Sequence, residues 1–309
     1  MNQLKFSNIT PSTRTIIANM NITINIQECY NLLQITPYTV IQKKRGRKKK
    51  PVTANPNLNI PTGSIITLKF RDFKKGVDLK QKKNQSYMCK YKKFFRNALT
   101  IVMIINQGGK LKEINMKLSQ NGKIQITGAK SVQQVVKCID YFWRMIQPYK
   151  NTIYAFHNKR ERTLKVIFDI VMTNILFNTG FRINRQNLDS YINQRTRYKS
   201  LYEPNYGYTG INIKFKVDNV LNHKLDKYTC QKSGWRKSSI DYKEYISTFL
   251  TEKERDKRLS KQHYNTFLVF YSGNIIMSGI RECYMKGAFN EFLSILKNNK
   301  NLIMENLTV

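Results

Sequence analysis

An internal repeat constrains this chain more than any other feature. The segment Asn121-Gly-Lys-Ile-Gln-Ile-Thr-Gly-Ala-Lys130 is matched by Ser272-Gly-Asn-Ile-Ile-Met-Ser-Gly-Ile-Arg281. Gly122 and Gly273, Thr127 and Ser278, and Gly128 and Gly279 each lie 151 positions apart. A constant offset across a turn, a strand and a second glycine is the mark of duplication, and a duplicated unit repeats its fold. Each copy reads as a tight turn at Gly122 or Gly273, a short strand, then a glycine where the chain enters a helix. Apolar residues follow at helical spacing in both copies. The first stripe is Val132, Val135, Val136, Ile139, Phe142, Trp143 and Ile146 behind a Ser131 N-cap; the second is Tyr284, Ala288, Phe289, Phe292, Leu293 and Leu296. Such stripes are core surfaces that pack against a sheet.

Strand-like runs precede each copy, at 15–26 and 99–105 in the first half and at 164–177, 211–217 and 267–271 in the second. Strands followed by one long helix per half predict an α+β fold, one antiparallel sheet with its helices on a single face and the other face free to bind. The expected halves are residues 1–152, with an insertion at about 42–91, and residues 153–309, with an insertion at about 218–265. The second insertion, with Trp235 and a charged helical pattern over 241–261, reads as an added subdomain or partner arm.

Charge narrows the partner. Lys and Arg number 54 against 19 Asp and Glu, a formal charge of +35. An imbalance of that size repels itself in a compact fold and is retained where phosphates neutralise it. The expected ligand is therefore nucleic acid. No apolar run approaches the roughly 20 residues of a spanning helix, and no basic amphipathic helix or lipidation motif appears, so a membrane is not expected. The N-terminus lacks the apolar stretch of a signal peptide, and the five cysteines, Cys29, Cys89, Cys138, Cys230 and Cys283, are odd in number and scattered, which points to a reducing compartment. His157, His223 and His263 sit at no ligand spacing and there is no CxxC pair, so neither a metal nor a cofactor is expected. Carboxylates are few and dispersed, with no Walker loop and no Ser/His/Asp set, so no enzyme and no small-molecule ligand are expected.

The repeated phrases resemble the core of TATA-box-binding proteins. In that family each half carries a Ser-Gly-Lys turn, a strand and a Thr-Gly-Ala-Lys phrase before its last helix. Leu268-Val-Phe270-Tyr-Ser-Gly-Asn-Ile-Ile276-Met-Ser278-Gly279 and Gly122-Lys123-Ile-Gln125-Ile-Thr127-Gly-Ala-Lys130 are similar to it. Ser200-Leu-Tyr202-Glu203-Pro204 resembles the family's tyrosine-glutamate-proline phrase, and Pro11-Ser-Thr-Arg-Thr15-Ile16-Ile17-Ala-Asn-Met-Asn21-Ile22 its opening strand. The resemblance covers about 60% of the chain. It implies a saddle of two pseudo-repeats with helices on the convex side. It also implies binding of AT-rich promoter DNA through the minor groove, which nucleates transcription initiation. The Ile, Asn and Lys bias fits an AT-rich source such as a large DNA virus, with action in the nucleus or a cytoplasmic viral factory.

Carried over by motif position, the DNA-contacting set is Thr15, Ile17, Lys123, Gln125, Thr127, Asn174, Tyr208, Lys214, Leu268, Phe270, Ile276 and Ser278. Phe270 and Tyr208 take the places of the second-half wedge aromatics, which unstack base steps in minor-groove binders. Ala98 and Ser119 fall where the first-half wedges belong, with Phe94 or Phe95 as stand-ins if the alignment slips. A kink is therefore expected mainly under the second half. Lys123 and Lys214 sit at phosphate-contacting positions, and Tyr202, Glu203 and Pro204 where the family docks the B-type initiation factor and, through it, the RNA polymerase machinery. The run Lys43-Lys44-Arg45-Gly46-Arg47-Lys48-Lys49-Lys50 resembles an AT-hook and equally a nuclear localisation signal or a solvated basic loop. Two rival readings stay open: a general basic nucleic-acid-binding or packaging protein, and a TATA-like fold kept as a protein-interaction scaffold.

Overall fold

The computed structural model describes residues 4–40, 56–57, 59–78, 95–107, 110–207 and 209–305. The basic run 43–50, Phe94 and Tyr208 lie outside the described residues. The chain divides into two compact units. The N-terminal unit comprises residues 16–169 and 227–237; the C-terminal unit comprises 1–15, 170–226 and 238–309.

In chain order the elements through the N-terminal unit are β1 (Thr13–Met20), β2 (Ile22–Ile24), α1 (Ile26–Leu32), β3 (Ile65–Phe70), β4 (Phe73–Gly76), β5 (Ala98–Gln107), β6 (Lys110–Ser119), β7 (Lys123–Thr127), α2 (Val132–Ile146), β8 (Tyr154–Phe156) and β9 (Lys165–Asn178). They continue as α3 (Arg185–Arg195), β10 (Lys199–Leu201), β11 (Gly210–Val217), β12 (Lys224–Gln231), β13 (Gly234–Asp241), α4 (Tyr242–Phe249), α5 (Glu252–Leu259), β14 (His263–Phe270), β15 (Asn274–Gly279), α6 (Glu282–Asn298) and α7 (Lys300–Ile303). The fold is α+β, built on antiparallel sheet. Strand order in the N-terminal unit is β1-β7-β6-β5-β3-β4, and in the C-terminal unit β10-β11-β14-β15-β9. Both insertions contribute strands, β3 and β4 extending one edge of the N-terminal unit's sheet and β12 and β13 forming a hairpin that joins β9.

Each unit closes one face of its sheet with helices. In the C-terminal unit, alternate residues Ile175, Phe177, Ile211, Ile213, Phe215, Phe267, Val269, Ile275 and Met277 point into a core filled by Leu188 and Ile192 of α3 and by Phe289, Phe292 and Leu296 of α6. The period of two along the strands and of three to four along the helices produces that face directly. Phe292 is fully buried, its ring 4.2 Å from Phe267 and 6.1 Å from Phe215. In the N-terminal unit, Leu99, Ile101, Met103, Met116, Leu118, Ile124 and Ile126 are buried on the face that meets α2, whose Val135, Ile139, Phe142 and Ile146 are likewise fully buried. Ser131 caps α2 by accepting from the Gln134 N–H.

The repeat survives at atomic detail in the two turns. Gly122 has φ 73 and Gly273 φ 80, and a Cβ would strike the Ile22 carbonyl oxygen in one and the Phe181 carbonyl oxygen in the other. Only glycine serves both demands. Each amide donates three residues back, Gly122 N to Ser119 O at 3.1 Å and Gly273 N to Phe270 O at 3.0 Å. Each carbonyl accepts from the strand alongside, Met20 N at 3.1 Å and Thr179 N at 3.0 Å.

The second insertion resolves into the β12–β13 hairpin and the helices α4 and α5. Within the N-terminal unit, Trp235 Nε1 donates to Asp140 Oδ1 of α2 at 2.9 Å, Tyr228 meets Phe168 edge-on at 5.4 Å, and Cys230 N donates to Leu164 O at 2.9 Å. Thr251 and Glu254 form a capping box at the start of α5.

Candidate nucleic-acid interface

Opposite its helices, each unit presents a second sheet face, and the two faces differ in chemistry. On the C-terminal unit the printed register sets residues of β11, β14, β15 and β9 side by side in rows. One row is Asn212, Leu268, Ile276 and Leu176; the next is Lys214, Thr266, Ser278 and Asn174. Phe270 lies beside them, paired with Gly210. All of these but Gly210 are half-buried or exposed, with Leu176 54% exposed, and among the described residues no helix covers them. Six of the residues expected from the sequence, Asn174, Lys214, Leu268, Phe270, Ile276 and Ser278, are thus brought together on one face. Asn212, Thr266 and Leu176 belong to the same surface and were missed. Counting by twos along β11 from Lys214 and along β9 from Asn174 would have found Asn212 and Leu176.

The structure qualifies the wedge assignment. Tyr208 lies outside the described residues, and the residue paired with Phe270 is Gly210. In the N-terminal unit the corresponding pair is Ser119 with Ala98. Gly210 is therefore the register equivalent of Ala98, and Phe270 stands at the end of its row without an aromatic partner across the ladder.

On the N-terminal unit the equivalent rows are polar apart from Val102. Gln125, Lys117, Thr100 and Lys69 form one, and Thr127, Asn115, Val102 and Thr67 the next. Lys123, at the start of β7, and Ile17, on β1, are half-buried, whereas Thr15, in the C-terminal unit, is buried at 7% exposure. Lys69 is neutralised by Asp78 at 2.5 Å, and that hydrogen bond, joined by one from Lys74, pulls the Asp78 carboxyl down to about 2. The Lys117 ammonium sits 4.0 Å from the centroid of the exposed Phe95 ring. The outer part of this face is not open. Val102 and Ile104 form a small separate core with Ile66, against which Tyr38, Ile60, Val77 and Leu111 pack. Tyr38 holds its place by donating to Glu113 at 3.2 Å.

Several polar atoms on these uncovered faces lack an internal partner. Asn174 Oδ1, Asn212 Oδ1 and both amide atoms of Asn19 are shielded from solvent, with no hydrogen-bond partner among the described residues. Buried polar groups are usually satisfied, so these amide atoms are open to a hydrogen-bonding partner. Of the expected partner site, Tyr202 is half-buried against the C-terminal core, with the Arg185 guanidinium 5.2 Å from its ring centroid, and Glu203 and Pro204 are exposed.

Among the described residues there is no group of His, Cys, Asp and Glu that could hold a metal, and no helix is long and apolar enough to cross a membrane. Cys29 and Cys138 are free thiols pushed up to about 12 by burial.

No family model matches the chain. It is 26% identical over 245 residues to the uncharacterized protein 335L of Invertebrate iridescent virus 6, an alignment covering 72% of this chain and 66% of that relative's length. Among solved structures it is similar to Methanococcus jannaschii TBP, with a TM-score of 0.44 and 12% identity over 94% of this chain and 98% of that one.

Proposed function

We propose that this chain is a divergent TATA-box-binding protein that binds AT-rich double-stranded DNA through the minor groove, with the open face of its C-terminal unit as the principal contact, and that it nucleates transcription initiation. The observation that carries the reading is the Phe270, Leu268, Ile276 and Leu176 surface, uncovered by helices among the described residues and edged by Asn174 and Asn212, whose side-chain N–H groups can donate. The minor groove offers little beyond the A N3 and T O2 acceptors, so a protein working there relies on shape, apolar wedges and a few amide or hydroxyl contacts. Asn174, Asn212, Thr266 and Ser278 supply such contacts, and Lys214 and Lys123 supply cations for phosphate. Reading is a matter of binding alone, with no chemistry performed on the DNA.

A B-type initiation factor would dock at Tyr202, Glu203 and Pro204, with the polymerase machinery following it. The polar N-terminal face favours a second reading, in which the chain grips nucleic acid generally and selects no promoter. DNase footprinting on AT-rich duplexes separates the two. A shape reader protects one short, defined site; a general phosphate binder protects none, and that outcome would remove the promoter function.

A further inference from the structure

We infer that the corner of the C-terminal unit around the turn joining β14 to β15 docks an acidic segment of a protein partner. Main-chain bonds assemble this corner. Ile183 N donates to the Tyr271 carbonyl at 2.9 Å, which sets the stretch before α3 against the turn, and Asn184 N donates to the Ile303 carbonyl at 2.8 Å, which ties α7 to the same stretch. Three cations meet there. The Arg182 and Arg185 guanidiniums each lie 5.8 Å from the centroid of the exposed Tyr271 ring, so both flank one side chain. Arg185 also lies 5.2 Å from the Tyr202 centroid, and the Lys300 ammonium lies 5.7 Å from that of Phe181.

Among the described residues none of the three cations is ion-paired, and Glu203, exposed and next to Tyr202 in the chain, pairs with none of them. Like charges gathered on neighbouring rings repel one another, and an anionic ligand relieves that repulsion. Tyr and Arg are also enriched in protein interfaces, the ring supplying contact area and the guanidinium a bidentate match to a carboxylate. Nucleic acid fits this corner less well. Alternation along β14 directs Tyr271 away from the face that carries Phe270. A duplex wedged from its minor groove kinks toward its major groove, away from the protein's wedge. The corner adjoins Tyr202, Glu203 and Pro204, so the inference rests on the proposed partner site and names the chemistry that site receives.

The test is fluorescence anisotropy of the full chain with a labelled oligoglutamate peptide. It compares Arg182→Glu/Lys300→Glu with Lys286→Glu/Lys297→Glu, which changes the net charge equally at exposed positions of α6. The corner variant should bind the peptide roughly tenfold more weakly than the α6 variant, because two exposed attractions become repulsions. The two variants should match in thermal midpoint, since all four side chains are exposed, and in affinity for an AT-rich duplex. Equal peptide affinities in the two variants would overturn the inference. So would an equal extra loss on the duplex in the corner variant, which would mark a phosphate-binding patch. The promoter reading fails separately: a corner-specific loss of peptide binding, in a chain that leaves no defined DNase footprint, would sustain the acidic docking site and remove the promoter function.

Discussion

Behind their sheets the two units solve the same problem in the same way, and in front of them they diverge. Ser119 stands where the other unit has Phe270, Lys117 where it has Leu268, and Gln125 where it has Ile276, all at the repeat offset. The buried faces stay apolar in both units because the helices α2 and α6 need them to pack. The open faces carry no such demand and are set by whatever they touch. In the C-terminal unit that surface carries Leu176, Leu268, Phe270 and Ile276 beside a polar row. In the N-terminal unit it has become cationic and polar, and its outer part is covered by residues around Tyr38 and Ile60.

The largest effects should ignore this difference. Phe292→Ala and Phe142→Ala each remove a fully buried ring from a helix–sheet core, and each should cost about 3–5 kcal/mol in stability by denaturant unfolding. A small loss for either would mean that its helix is not a structural partner of its sheet. On the open faces asymmetry is expected. Leu268→Lys should lower affinity for an AT-rich duplex by roughly tenfold or more with little change in stability, because it puts a desolvated charge into an apolar contact. Lys117→Leu, the reciprocal exchange, should alter affinity far less and flatten the salt dependence by about one unit of log-log slope if Lys117 neutralises a phosphate. Smallest of all, Cys29 and Cys138 should resist an aromatic disulfide reagent at neutral pH in the folded chain. Burial holds both thiols protonated, with values up to about 12, so the reactive thiolate forms only as pH rises toward that range. Among the described cysteines the exposed Cys283 should react first.

The architecture was legible because the repeat and its stripes are local signals. Turn, strand, glycine and helix recur in order, and both buried faces follow from their periods. Legibility ended where the fold depends on pairing between distant segments. The strands β3 and β12 sit inside lysine-rich insertions, and their places in the sheet depend on pairing with the distant strands β5 and β9. Register set the limit at the site. Motif position singled out Phe270, Leu268, Ile276 and Ser278, which lie on one hairpin. It could not show that Gly210 faces Phe270, or that Asn212 and Leu176 complete the Leu268 row, because those facts reside in the β11–β14 and β15–β9 ladders. The small core over Val102 and Ile104 left no sequence signal, since its members come from four separated stretches of chain.

The most direct test of DNA bending by the C-terminal face is energy transfer across a short AT-rich duplex labelled at both ends, comparing Phe270→Ala with Ser119→Ala. A phenyl ring can fill a separated base step, recovering through the bend the few kcal/mol that unstacking costs, and a hydroxymethyl group cannot. Phe270→Ala is expected to lose most of the bend and much of the affinity while the chain stays folded, and Ser119→Ala to change the bend little. Equal defects from the two substitutions, or an undiminished bend in Phe270→Ala, would contradict a wedge on the C-terminal face.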